Sequence, residues 1–123
     1  MVFLFKAVIE EYRAVSKEIE KANDIVIIGG GPTGVEIAGE IAEKYKTKKI
    51  AIIQSNDILG GQELTPKFQS TLKEGLENIN VELHLGERVS NLDELSFGIC
   101  KKQTVNTSKV NYKRYLTENY KLS

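Results

Sequence analysis

The sequence predicts an α/β fold, an incomplete parallel sheet preceded by an amphipathic helix, and two observations carry that prediction. The first is a pair of short β-branched runs, Asp24-Ile25-Val26-Ile27-Ile28 and Ile50-Ala51-Ile52-Ile53. Continuous apolar runs of this length suit strands buried on both faces of a parallel sheet. The second is what separates them: glycines at 29, 30 and 31, then a helical period through Val35, Ala38, Ile41, Ala42 and Tyr45. Strand, turn, helix and strand fit within about 30 residues, the length of one βαβ unit.

The remaining elements follow in order. Residues 3–22 read as an amphipathic helix, with Phe5, Val8, Ile9, Tyr12, Val15 and Ile19 on one face and Glu10, Glu11, Lys17, Glu18 and Lys21 on the other. Asn23 can close it in a left-handed conformation. Lys44, Lys46, Lys48 and Lys49 gather where the central helix should end and complement its dipole. Residues 55–65 form a polar loop, and Thr65-Pro66 supplies an N-cap followed by proline in the first turn. Phe68, Leu72 and Leu76 then make an apolar stripe. Val81, Leu83 and Leu85 alternate with Glu82 and His84, which predicts a third strand with one wetter face. The three strands should lie parallel in the order third, second, first. The far edge of the first is then left open, a route to self-association. Residues 100–112 suggest a short hairpin, and 111–123 carry no readable period. The expected division is a linker helix over 1–23, a partial nucleotide-binding domain over 24–105 and an unassigned tail over 106–123.

Composition narrows the function. The chain has 123 residues, enough for one domain, with 41% hydrophobic and 28% charged residues. Seventeen basic residues balance seventeen acidic ones, so no net field draws it to nucleic acid or an anionic membrane. The runs 1–5 and 25–28 fall far short of the roughly 20 apolar residues of a transmembrane helix. The single cysteine, Cys100, cannot form an internal disulfide, and a cytoplasmic location is the expectation. His84 and Cys100 belong to no triad, zinc pattern or CxxC motif, so any redox chemistry must come from cofactors.

Gly29-Gly30-Gly31-Pro32-Thr33-Gly34 satisfies G-x-G-x-x-G at Gly29, Gly31 and Gly34, and it lies between a strand and a helix, the Rossmann-like context. In such a motif the first glycine turns the chain out of the strand. The second admits a pyrophosphate against the backbone, and the third brings helix and strand close. Free amides at the helix start then bind phosphate. About 20 residues on, where an acidic side chain commonly holds the ribose of NAD, stands Gln54. A neutral amide can bond a ribose hydroxyl but does not repel a 2′-phosphate, so no strict choice between NADH and NADPH is expected. Asp57 is a second candidate for the ribose if its loop folds back. Glu36, in the first turn of the helix, either complements the helix dipole or faces the site.

The stretch Ile25-Val26-Ile27-Ile28-Gly29-Gly30-Gly31-Pro32-Thr33-Gly34-Val35-Glu36-Ile37-Ala38 resembles the NAD(P)H-binding domain of pyridine nucleotide-disulfide oxidoreductases. The run Glu87-Arg88-Val89-Ser90-Asn91-Leu92-Asp93-Glu94-Leu95 is similar to the branch of that family formed by homologues of apoptosis-inducing factor. The likeness covers about residues 5–105. It implies a parent enzyme with FAD and NAD(P)H domains that passes electrons from NAD(P)H through flavin to a quinone such as ubiquinone. That parent is expected to associate with membranes, lipid droplets or mitochondria. It also implies that Gly29, Gly30, Gly31, Pro32, Thr33 and Gly34 form the pyrophosphate turn, that Glu36 lies near the nicotinamide, and that Gln54 meets the adenosine ribose. Only one glycine fingerprint is present, so the expectation is a truncated chain lacking its FAD-binding segments and unable to turn over alone. Two other readings stay open. Residues 24–53 could instead bind FAD, or the chain could be a non-catalytic interaction module using its uncovered apolar surface.

Overall fold

In a computed structural model, residues 2–6, 16–29, 31–61, 64–97, 100–101 and 105–108 are described. The elements are β1 (Val2–Lys6), α1 (Ser16–Lys21), β2 (Asp24–Ile28), α2 (Pro32–Lys44), β3 (Lys49–Gln54), α3 (Pro66–Asn78), β4 (Val81–Leu85) and β5 (Cys100–Lys101). They form one five-stranded sheet in the order β4-β3-β2-β1-β5. Strands β1 to β4 are parallel neighbours, and β5 runs antiparallel against β1. The expected trio of parallel strands is present in the expected order.

The N-terminal segment departs from expectation. Residues 3–6 belong to a strand, not to a helix spanning 3–22, and helix is present at Ser16–Lys21. Val8, Ile9, Tyr12 and Val15, on its expected apolar face, lie outside the described residues. The reason is that Val2-Phe3-Leu4-Phe5 is a short apolar run. Such a run fits a buried strand or a helix face equally well until a neighbouring strand supplies hydrogen bonds. Strand β2 supplies them, from Val2 opposite Asp24 to Lys6 opposite Ile28. The far edge of β2 is therefore covered, and the expected route to self-association through it is closed. Within the expected hairpin over 100–112, Cys100 and Lys101 pair with Phe3 and Val2, and Thr107 bridges Val89. Residues 102–104 and 109–112, where the rest of that hairpin would fall, lie outside the described part.

The pleat sorts the core into two layers. Ile25, Ile27, Ile50 and Ile52 point to one side, where Ile19, Ala22, Ile37, Ala38, Ile41, Leu76 and Val81 pack with them. Val26 and Ile53 point to the other and meet Val89 and Val105, with Ile28, Leu95 and Phe97 at the margin. Each buried Ile contributes roughly 1.5–3 kcal/mol, so β2 and β3, covered on both faces, contribute strongly to stability. Helix α3 is only partly engaged: Leu76 is buried, Leu72 packs at the margin, and Phe68 is 57% exposed.

Of the expected lysines, Lys44 stands in the last turn of α2, and Lys48 serves a different helix from the one expected. Lys48 Nζ donates to the carbonyls of Glu20 (2.9 Å) and Ala22 at the end of α1, and lies 4.7 Å from the Tyr45 ring centroid. A cation there meets the negative end of α1 rather than that of α2.

Asp24 opens β2 opposite Lys49, and burial pushes its carboxyl above the usual range against the opposing pull of Lys49. A raised native pKa means the folded state holds the proton more tightly than the unfolded one. Asp24 therefore costs stability as pH rises out of the acid range, and no such cost exists below the unfolded value. Asp24→Asn should raise the melting temperature at pH 7, and the gain should vanish near pH 3. Thermal melts of both chains at the two pH values check this.

Candidate functional site

In an open parallel sheet, ligands collect outside the carboxyl ends of the strands. An open cleft of about 360 Å³ lies there, lined by Ile28, Gly29, Ile53, Gln54, Ser55, Glu87, Arg88, Val89 and Leu92. Its floor is set by backbone pairing. Ile28 stands opposite Ile53, and the Gly29 N–H donates to the Ile53 carbonyl at 2.9 Å. The chain therefore leaves β2 at the level where β3 ends, which brings Gly29 and Gln54 to one cleft. Gly29 has φ +116°, a conformation that a side chain would strain.

Gly31 has a different reason to be glycine. Its backbone is extended, with φ −73° and ψ −174°, which any residue can adopt, and an added Cβ would meet no described atom within 4 Å. Nothing described within the chain demands a bare backbone there. Gly31 is the N-cap of α2, with no side-chain cap, and the Val35 N–H makes the first helical bond to its carbonyl. Pro32 occupies the first turn and brings no N–H, while Thr33 and Gly34 carry amides that precede the first intrahelical bond. Gly34 is buried within α2. Gly30 lies outside the described residues.

The expected site residues do not all meet. Gln54 lines the cleft, and its Nε2 donates to Asn56 Oδ1 and the Ile58 carbonyl, both at 3.2 Å. Glu36 is exposed on α2 and borders a separate groove of about 500 Å³ between α2 and α3, together with Val35, Gly39, Phe68 and Leu72. Asp57 lines another hollow with Leu59, Pro66 and Lys73.

Sequence reasoning missed the wall beyond β4. The Glu87 N–H donates to the Gln54 carbonyl at 3.0 Å, which carries residues 87–89 across the end of β3. Glu87 is fully buried, with Oε2 3.1 Å from Nδ1 of the equally buried His84, and its Oε1 finds no hydrogen-bond partner among the described residues. On the other side of the ring, Glu82 Oε1 lies 3.3 Å from Nε2. The expected wetter face of β4 is therefore dry at His84. No cluster of three or more His, Cys, Asp or Glu among the described residues is arranged to hold a metal. The available signal was topological: in a parallel sheet the segment after the third strand must end beside Gln54.

A parallel sheet with a glycine turn and a capless helix start at its carboxyl edge defines a nucleotide-binding α/β protein. The family pattern of pyridine nucleotide-disulphide oxidoreductases matches residues 2–116, and the chain belongs to that family. It is similar to ferroptosis suppressor protein 1 of Xenopus tropicalis, 37% identical over 97 residues, covering 79% of this chain and 26% of that protein. The human ferroptosis suppressor protein 1 is 40% identical over 90 residues, covering 73% and 24%. The chain thus spans about a quarter of the length of these relatives. Among solved structures, an FAD-dependent pyridine nucleotide-disulphide oxidoreductase from Desulfovibrio vulgaris superposes with a TM-score of 0.69 at 24% identity, over 88% of this chain and 27% of that one. At that identity the likeness speaks for the fold alone.

Removing the buried partner of His84 tests the wall directly. Glu87→Ala should lower unfolding free energy by about 1–3 kcal/mol, since a buried ring nitrogen loses its hydrogen bond. Urea denaturation of both chains measures it.

Proposed function

We propose that this chain is the NAD(P)H-binding portion of an FAD-dependent oxidoreductase that delivers electrons to a quinone of the ubiquinone type. The single observation that carries the reading is Gly31. It is a glycine that neither backbone conformation nor described packing requires, standing where a pyrophosphate would approach the first turn of α2. A residue kept bare against empty space fits a ligand's need better than the fold's. The residues present fit a dinucleotide. Gly29, Gly31, Thr33 and Gly34 would offer backbone to the phosphates, and Ile28, Ile53 and Val89 would give the adenosine an apolar wall. Gln54 and Ser55 would bond its ribose.

When bound, NAD(P)H supplies a hydride, which a flavin in the whole protein relays to the quinone. The chain's own part is to hold and orient the nucleotide. The names of its relatives extend the reading to suppression of ferroptosis, and a cytoplasmic site of action belongs to it as well. No helix among the described residues is long and apolar enough to cross a membrane. Glu36, bordering the groove between α2 and α3, would meet the nicotinamide end only if that end passes over the start of α2. With one glycine fingerprint, the chain alone should bind nucleotide without NADH:quinone turnover.

Gly31→Val separates fold from function. An added Cβ meets no described atom within 4 Å and the backbone there is extended, so stability should change by about 1 kcal/mol or less. Nucleotide binding should be lost, because side-chain atoms would occupy the phosphate position. Thermal melts together with NADH and NADPH titrations check both halves. A variant that binds as tightly as the parent chain would remove the phosphate role from this turn.

A further inference from the structure

Two charged residues line the cleft, and the fold treats them differently. Glu87 is fully buried, its Oε2 engaged with His84. Arg88, the next residue, lines the same cleft and is exposed. The polar side chains across from it at the end of β3, Gln54 and Ser55, are neutral. Because the Glu87 N–H is bonded to the Gln54 carbonyl, Arg88 follows immediately beyond the point where the chain crosses β3. Asp57, the other acidic candidate for the ribose, lines a different hollow. Among the described residues, then, no exposed acidic residue lines this cleft and one exposed arginine does.

Dinucleotide sites that reject a 2′-phosphate place an acidic side chain at the adenosine ribose, and those that accept it place an arginine nearby. A guanidinium also presents a fork of donors matched to phosphate oxygens, which a lysine cannot reproduce. Resting on the dinucleotide reading above, we propose that Arg88, reaching in from the segment after β4, receives the 2′-phosphate of NADPH with help from the Ser55 hydroxyl. The chain therefore prefers NADPH to NADH. Arg88 is a specificity residue in this account and takes no part in hydride transfer.

The test uses two small probes that differ only in the phosphate at issue, adenosine 2′,5′-bisphosphate and 5′-AMP, titrated into the whole chain beside NADPH and NADH. The bisphosphate and NADPH should bind more tightly than their partners. Arg88→Gln, at an exposed position, should keep the melting temperature. It should weaken the bisphosphate and NADPH by about tenfold while moving AMP and NADH by less than about twofold. Arg88→Lys should recover part of the loss. Equal weakening of all four ligands would assign Arg88 to the shared phosphates and overturn the inference, as would no change in any. Failure of the unmodified chain to bind any of the four would overturn the dinucleotide reading and this inference with it.

Discussion

Everything about the site depends on one backbone register. Strands β2 and β3 pair from Asp24 opposite Lys49 to Ile28 opposite Ile53, and the hydrogen bond from Gly29 to the Ile53 carbonyl extends that pairing into the turn. A slip of one residue would invert the faces of Ile25, Val26 and Ile27 and break both core layers together. It would also carry the glycine turn away from the end of β3. Burial of isoleucines on two faces thus holds the cleft in place, although none of the glycines contributes to the core by its own side chain.

The two layers divide the labour. Helices α1, α2 and α3 pack on the layer built by Ile25, Ile27, Ile50 and Ile52, and they orient the start of α2. The opposite layer is closed by Val89 and Val105, and the segment that brings Val89 there also places Glu87 and Arg88 on the cleft. The buried Glu87–His84 contact anchors that segment. A hydrogen-bonded buried pair gives position at the expense of desolvation. Its neighbour Arg88 can stay exposed because Glu87 and Val89 hold the backbone on either side of it.

Much of this was legible in the sequence. Runs of β-branched residues around a glycine turn and a helical period constrain one another, so β2, α2, β3 and the glycine fingerprint were readable from local pattern. Ile37, fully buried, escaped the helical reading because only contact with the sheet shows that the apolar stripe is wide enough to include it. Strand β1 escaped for a related reason: Val2-Phe3-Leu4-Phe5 has no period of its own, and its conformation is decided by β2. His84 looked solvent-facing because alternation along β4 carries no information about Glu87, which covers it from beyond the strand. The far wall of the cleft is a tertiary product and has no local signature. Glu36 was linked to the cofactor by its expected place at the start of the helix and by resemblance, and the fold sets it on a different groove from Gln54.

The central claim is that a dinucleotide lies across the glycine turn and the ends of β3 and β4. Amide hydrogen exchange of the whole chain, with and without saturating NADPH, tests it most directly. The account predicts slowed exchange at Gly29, Gly31, Thr33, Gly34, Ser55, Arg88 and Val89, with little change along the groove between α2 and α3. Protection confined to residues 36–43 and 68–76, with none at the glycine turn, would contradict it.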